Sequence, residues 1–78
     1  MIKRTPRLIV TFHTTAEAMA LERACRARGI EGRLISAPRA LSADCGIAWS
    51  SPLSAREDIQ CTLASEGIEV AGLHELVI

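Results

Sequence analysis

The stretch RLIVTFHTTAEAMALERACRARGIEGRLISAP, residues 7–38, contains the unit on which the rest of the chain is built. Its first six residues are rich in β-branched and aromatic side chains and follow Pro6, which predicts a first strand. A helix is predicted next, because Thr14 and Glu17 have the spacing of a capping box and Gly29 stands where a left-handed C-cap belongs.

The predicted helix has one apolar face, and a second strand follows it. The apolar residues that recur at helical spacing are Ala18, Leu21 and Cys25. Residues 32–38 predict the second strand, which ends at Pro38 because proline has no N–H group for the sheet. The stretch is therefore a strand, a helix and a strand in succession.

The second half of the chain repeats this unit. Residues 46–50 predict a third strand, and Ser54 and Glu57 predict a second helix by the same capping-box spacing. Gly67 ends this helix, and residues 68–78 predict the last strand. The expected inner face of the second helix comprises Ile59, Thr62 and Leu63.

The order of elements is β-α-β-β-α-β, and the triplet GIE follows both helices, at residues 29–31 and 67–69. This order predicts a ferredoxin-like α+β sandwich, in which a four-stranded antiparallel sheet of order 4-1-3-2 carries two helices on one face. Ile47 and Trp49 are expected to face the helices, which leaves the other face of the sheet uncovered. Gly72 marks the place of an expected bulge in the last strand. All 78 residues are expected to form one domain.

The composition excludes several classes of protein. The apolar runs are far shorter than the roughly 20 residues that cross a bilayer, and the N-terminus lacks the apolar core of a signal peptide. We therefore expect a cytoplasmic protein that does not bind membranes. Because the sequence has no phosphate loop, cofactor fingerprint or catalytic carboxylate pair, we expect neither an enzyme nor a bound cofactor. None of the three cysteines lies in a CxxC or CxxH pair, so we expect no bound metal.

The charges are divided unevenly along a chain whose net charge is zero. Residues 1–39 hold eight basic and three acidic side chains, whereas residues 40–78 hold one basic and six acidic side chains. Within one domain the two halves interleave, so this division predicts internal charge balance. Because the basic residues are not interleaved with aromatic residues, we expect no nucleic-acid binding.

Of the three cysteines, Cys45 has the sequence surroundings of a reactive thiol. Cys25 lies on the inner face of the first helix, and Cys61 lies at the margin of the second helix, where no neighbour in the sequence activates it. The predicted topology brings Cys45 and His13 to the edge of the sheet where the first helix begins. A helix N-terminus stabilises a thiolate there, and Gly46 leaves the thiol uncrowded.

Other groups near Cys45 act on the same thiol. Arg39 lies in the same loop and favours a thiolate, whereas Asp44 opposes it unless Arg39 pairs with that carboxylate. The backbone N–H groups at the start of the first helix, around Thr14 and Thr15, point toward the same region. A cysteine beside a strand is also a common small core residue, so a structural role stays open.

Three motifs resemble those of the selenium/sulfur carrier-like family of short bacterial domains. Its members typically show FHST after the first strand, GIPGRLIPxPR after the first helix and SAGCGLA before the third strand. The matching segments here are residues 12–15, 29–39 and 42–48, and the resemblance runs from about Leu8 into the second helix. Asp44 stands where the family usually has glycine.

The resemblance implies that Cys45 carries sulfur or selenium as a persulfide or selenosulfide, which a donor protein supplies and an acceptor protein receives. The expected site comprises Cys45 as the carrier thiol, His13 and Arg39 beside it, and Thr14, Thr15, Ser42 and Gly46 as binding residues. The alternative is a non-catalytic interaction module that uses the uncovered sheet face, with Cys45 as a structural residue. A homodimer through that face is an expected assembly.

Overall fold

The chain folds as the predicted sandwich. The fold is taken from a computed structural model that describes residues 5–41 and 46–77. The elements in chain order are β1 (Pro6–Thr11), α1 (Thr15–Arg28), β2 (Arg33–Ser36), β3 (Ile47–Pro52), a 3₁₀ turn (Leu53–Ala55), α2 (Arg56–Glu66) and β4 (Gly72–Val77). The strand order is β2-β3-β1-β4 with antiparallel neighbours, which is the predicted order read from the other edge. Among the described residues, no helix is long and apolar enough to span a bilayer.

The helix α1 begins and ends at the predicted residues. Thr14 has an extended backbone (φ −136°, ψ 155°), its hydroxyl accepts a hydrogen bond from the N–H of Glu17, and the Glu17 carboxylate accepts one from the N-cap backbone. At the other end Gly29 adopts φ 71°, and its N–H bonds to the carbonyls of Arg26 and Cys25. A residue without a Cβ takes this left-handed conformation with little strain. The predicted capping box and C-cap are both confirmed.

The core lies between the sheet and the two helices. Alternate residues of β1 and β3 point into it, as the two-residue period of a strand requires, and Trp49 is its largest fully buried side chain. Ile47 packs against this cluster from the same face, as predicted. The fully or almost fully buried members are Leu8, Val10, Phe12, Ala18, Leu21, Cys25, Trp49 and Ile59. Each large aliphatic side chain buried in this way contributes about 1.5–3 kcal/mol to folding.

A chain of hydrogen bonds fixes the indole of Trp49. Its Nε1–H donates to the Oγ of Ser51 (2.6 Å), and that hydroxyl donates to the carbonyl of Glu31 (2.8 Å). Gly32 lies directly against this pair, because a Cβ at that position would come within 2.5 Å of both Ser51 Oγ and Trp49 Cζ2. The sequence pattern places Gly32 at the start of a predicted strand, and the close packing against Trp49 and Ser51 is visible only in the fold.

The helix α2 does not begin at the predicted cap. It starts at Arg56, with Ala55 at the N-cap position and no side-chain capping bond. Leu53–Ala55 already form a 3₁₀ turn, in which the N–H of Arg56 bonds to the carbonyl of Leu53. Ser54 is therefore inside a helical turn, whereas a capping hydroxyl needs an extended backbone. The predicted capping box of Ser54 and Glu57 is wrong, although Glu57 still lies in the first turn, where an acidic residue is favourable.

All four strands differ from their predicted bounds, β1 by one residue at each end and β2 by ending at Ser36 rather than at Pro38. β3 runs on to Pro52, and β4 starts only at Gly72. Gly72 pairs with β1 and the register continues unbroken from there, so the predicted bulge is wrong. The N–H of Ile68 is still bonded to the helix carbonyl of Leu63 (3.0 Å), and bonding to β1 begins with the N–H of Ala71, which donates to the carbonyl of Thr11 (2.8 Å). The predicted end of the last strand, residue 78, lies outside the described residues.

The face of the sheet opposite the helices, here called the open face, is covered by no other described element. Its central residues are nevertheless buried, and they are Ile9, Thr11, Ala48 and Ser50. Arg7 lies across Ser50, with its Nε donating to the Ser50 hydroxyl (3.0 Å) and Nη2 donating to the Ser50 carbonyl (3.4 Å). The large apolar residues that are exposed in the described part of the chain are Met19, on α1, and Val77, whose register places it on the helix side of β4.

The two oppositely charged halves of the chain meet in the folded domain. Arg28 from the basic half pairs with Glu66 from the acidic half at 3.1 Å, and it also donates to Ser65 (3.0 Å). This ion pair joins the C-terminal ends of α1 and α2. The predicted interleaving of the two halves is confirmed at this contact.

Candidate functional site

The end of β1 and the start of β3 lie at the same edge of the sheet, which we call the α1 edge because α1 begins there. Thr11 pairs with Ala48 in the ladder between these strands. The N–H of Ala37 donates to the carbonyl of Gly46 (3.0 Å), just beyond the last ladder pair of β2 and β3. His13 follows β1 and Gly46 precedes β3, so the predicted convergence of these two chain segments is confirmed.

The start of α1 is occupied by its own capping groups. The Oγ of Thr14 accepts from the N–H of Glu17 (3.2 Å), while Glu17 Oε1 accepts from the N–H of His13 (2.8 Å) and from that of Thr14 (3.4 Å). This carboxylate brings a negative charge to the helix end that carries a partial positive charge. It therefore reduces the electrostatic stabilisation that α1 offers to a further anion, such as a thiolate. The side chains of His13 and Thr15 are exposed at this end.

The loop between β2 and β3 starts with a turn that carries Arg39. The N–H of Leu41 donates to the carbonyl of Pro38 (3.0 Å), which closes the turn. Arg39 is exposed, and no carboxylate of the described residues pairs with it. At the end of the loop Gly46 has φ 73°, and a Cβ there would meet nothing within 4 Å. The positive φ favours glycine, and the space around it leaves the base of the loop open.

Part of the predicted site lies outside the described residues. Ser42, Asp44 and Cys45 all fall in the undescribed segment. The carrier role of Cys45, its proximity to His13 and the effect of Asp44 on its pKa therefore stay predictions. The predicted residues that the structure does place at the α1 edge or in the loop beside it are His13, Thr14, Thr15, Arg39 and Gly46.

The other two thiols have contrasting surroundings. Cys25 is fully buried in the core, as predicted, and desolvation by burial raises its pKa to about 11 although the nearby charge of Arg28 acts in the opposite direction. The thiol of Cys25 is therefore protonated at neutral pH. Cys61 is exposed on α2 and lines a shallow groove with Arg28 and Asp58. The sequence did not reveal this neighbourhood, because Arg28 comes from the other helix.

The α1 edge brings together residue 12, the end of the 29–39 motif segment and the described residues 46–48 of the third motif segment. A comparison with family models matches residues 7–75 to the family described as "Putative Se/S carrier protein-like". The chain belongs to this family. The match runs from β1 into β4 and includes the whole loop between β2 and β3, so every predicted site residue of this Se/S carrier-like protein lies inside it. Comparisons with curated proteins and with solved structures found no significant match.

Proposed function

We propose that this Se/S carrier-like protein is a thiol-based carrier of sulfur or selenium, and that Cys45 is the carrier residue. The observation that carries the proposal is the family match over residues 7–75, which includes the SADCG segment at Cys45. Two features of the fold support it. Gly46, the next residue along the chain, is exposed in open space, and it lies at the edge of the sheet where α1 begins.

The burial of Cys25 narrows the choice of thiol. A carrier must present a thiolate to a donor protein, and the Cys25 sulfur is enclosed by the core and has a pKa of about 11. Cys61 is exposed, but it lies on α2, outside the three motif segments 12–15, 29–39 and 42–48. Cys61 is therefore the other candidate for the carrier thiol, and the experiment must distinguish it from Cys45.

The carrier step is an exchange at sulfur with no net oxidation. The Cys45 thiolate attacks the terminal sulfur of a donor persulfide, R–S–SH, and forms a new S–S bond to that atom. The S–S bond of the donor breaks, its inner sulfur leaves as a thiolate, and the proton of the transferred sulfur is retained or exchanged with solvent. An acceptor thiolate repeats the exchange and restores the Cys45 thiolate. Selenium in the same oxidation state is transferred with the same bonds formed and broken. The protein turns over no small-molecule substrate in this scheme.

The described residues around the loop have separate roles in this proposal. Because the Glu17 carboxylate already binds at the start of α1, that helix end gives limited help to a thiolate. Arg39 is exposed in the same loop as Cys45 and supplies the positive charge that favours the thiolate. His13 lies at the α1 edge, where it can take up or release the exchanged proton. Thr14 has a structural role, because its hydroxyl accepts the capping hydrogen bond from the N–H of Glu17.

The test is sulfur loading followed by intact-mass spectrometry. Purified protein is incubated with cysteine persulfide, and the mass of wild type is compared with those of Cys45→Ser and Cys61→Ser. We expect wild type and Cys61→Ser to gain one sulfur atom and Cys45→Ser to gain none. Addition of a small thiol such as glutathione should remove the added mass and return the sulfur as glutathione persulfide.

Growth of the producing cells with selenite identifies the cargo. A selenium mass on Cys45 in the purified protein supports selenium as the atom carried, and a sulfur mass alone supports sulfur. Loading that persists in Cys45→Ser, or that disappears in Cys61→Ser, would contradict the assignment. Circular dichroism of both variants checks that neither substitution has unfolded the domain.

A further inference from the structure

The open face of the sheet is positively charged although the whole chain is neutral. The strand register places Arg7, Arg33 and His74 on this face and places no aspartate or glutamate there, in four strands that are all described. The acidic strand residue Glu75 points to the helix side, where it pairs with Arg56 at 2.6 Å. Among the strand residues, the basic side chains thus lie on the open face and the acidic Glu75 lies on the helix side.

Two arginines converge on Ser50. Arg33 is directly opposite Ser50 in the ladder between β2 and β3, and Arg7 donates two hydrogen bonds to Ser50 from the other side. The arginines Arg26 and Arg28 on α1 each have a glutamate partner, whereas neither Arg7 nor Arg33 is paired with a described carboxylate.

The chemistry of this face distinguishes between classes of partner. Guanidinium groups suit carboxylates, which they bind in a planar, two-bond geometry. Bases of single-stranded nucleic acid need aromatic stacking platforms, but Phe12 and Trp49 are both buried on the helix side. A second copy docked face to face would oppose Arg7 and Arg33 with the same two arginines, which electrostatic repulsion disfavours.

We infer that the open face docks an acidic protein surface, whose aspartate or glutamate side chains bind between Arg7 and Arg33 over Ser50. This inference goes beyond the carrier function and does not need Cys45 to react. The docking point lies toward the opposite end of β3 from Gly46, about 13 Å along the strand at about 3.3 Å per residue. A protein docked there would lie along the open face toward the loop that contains Cys45.

Binding of an acidic peptide tests the inference. A fluorescein-labelled peptide in which glutamate alternates with serine is titrated with the full chain, and fluorescence anisotropy is recorded at low and at physiological ionic strength. We expect saturable binding that weakens with salt, and no binding of the same peptide with glutamine in place of glutamate. Arg33→Glu should weaken binding about tenfold, because it removes one attraction and adds one repulsion.

Arg23→Glu is the matched control, since Arg23 is an exposed arginine on α1 and its substitution changes the net charge equally. The control should bind within twofold of wild type. An equal loss in Arg23→Glu would show a net-charge effect and overturn the docking site, as would a wild type that does not bind. Tighter binding of single-stranded DNA with the same dependence on Arg33 would assign the face to nucleic acid. A wild-type dimer that Arg33→Glu dissociates would assign it to a second copy.

Discussion

The thiol of Cys25 has no contact with solvent, and this gives the domain a specific dependence on pH. Burial raises its pKa from 9.0 to about 11, so between these values the unfolded chain loses the thiol proton while the folded chain keeps it. Because the folded state then binds more protons than the unfolded state, the free energy of unfolding falls as pH rises through this window. We expect a loss of roughly 2 kcal/mol, measured by urea unfolding at the two ends of the window.

The Cys25→Ala variant isolates this effect. In Cys25→Ala the free energy of unfolding should fall much less as the pH rises through this window. In Cys61→Ala it should fall as in wild type, because that residue is exposed on α2. The chain has no tyrosine and a single lysine, Lys3, so few other groups titrate in the same window. An unchanged decline in Cys25→Ala would show that another group is responsible.

Gly32 is a second residue whose role depends on packing. Gly32→Ala places a methyl group 2.5 Å from Ser51 Oγ and from the edge of Trp49, so it must displace the hydrogen bond between them. We expect a loss of about 1–3 kcal/mol in the free energy of unfolding. The fluorescence of Trp49, which is the only tryptophan, reports both the unfolding and the altered environment of the indole.

Gly67→Ala is the matched control for Gly32→Ala. Gly67 has φ 67° and open space around it, so alanine there brings only backbone strain, of about 1 kcal/mol. A shift of the tryptophan emission should therefore occur in Gly32→Ala and be absent in Gly67→Ala. Equal stability and identical emission in the two variants would contradict the packing role.

The two helix starts provide a comparison between elements. Thr14→Ala removes the hydroxyl that accepts from Glu17 N–H, and we expect it to lower the free energy of unfolding by about 1 kcal/mol. Ser54→Ala should change it by less than about 0.5 kcal/mol, because Ser54 makes no capping bond to α2. Urea unfolding of the two variants and of Thr14→Ser measures the difference. A larger effect at Ser54 than at Thr14 would contradict the assigned caps.

These helix starts also show which features of the fold could be predicted from the sequence. Both have a glutamate three positions after the candidate N-cap residue, and the local pattern alone predicted two capping boxes. The prediction is confirmed at Thr14, which follows β1 and has an extended backbone. It is wrong at Ser54, because this residue already lies within the 3₁₀ turn that follows Pro52. Capping depends on the conformation of the preceding residues, which a spacing rule does not contain.

The same limit applies to the candidate site. The topology follows from the order of the elements, so the pairing of the end of β1, before His13, with the start of β3, after Gly46, could be predicted. The charge of the open face could not, because it depends on which residues of each strand share a face and on the register between strands. Arg7 and Arg33 are 26 positions apart in the sequence, and the fold brings both beside Ser50, Arg33 as its ladder partner and Arg7 through two hydrogen bonds.

For the whole molecule, the sheet order predicts where the fold is most resistant to opening. β1 is paired on both sides, with β3 and with β4, and Leu8, Ile9 and Val10 are fully buried. β4 is an edge strand with one neighbour, and its residues are partly or fully exposed.

Amides that open only when the whole domain unfolds exchange most slowly with solvent, and edge amides exchange by local opening. We therefore expect native-state hydrogen exchange to be slowest in β1, with protection close to that set by the global free energy of unfolding, and faster in β4. Arg33→Glu, which acts at the surface of the open face, should leave this order unchanged. Equal or greater protection of β4 would mean that something covers this edge in solution, and the open sheet would then be part of a larger assembly.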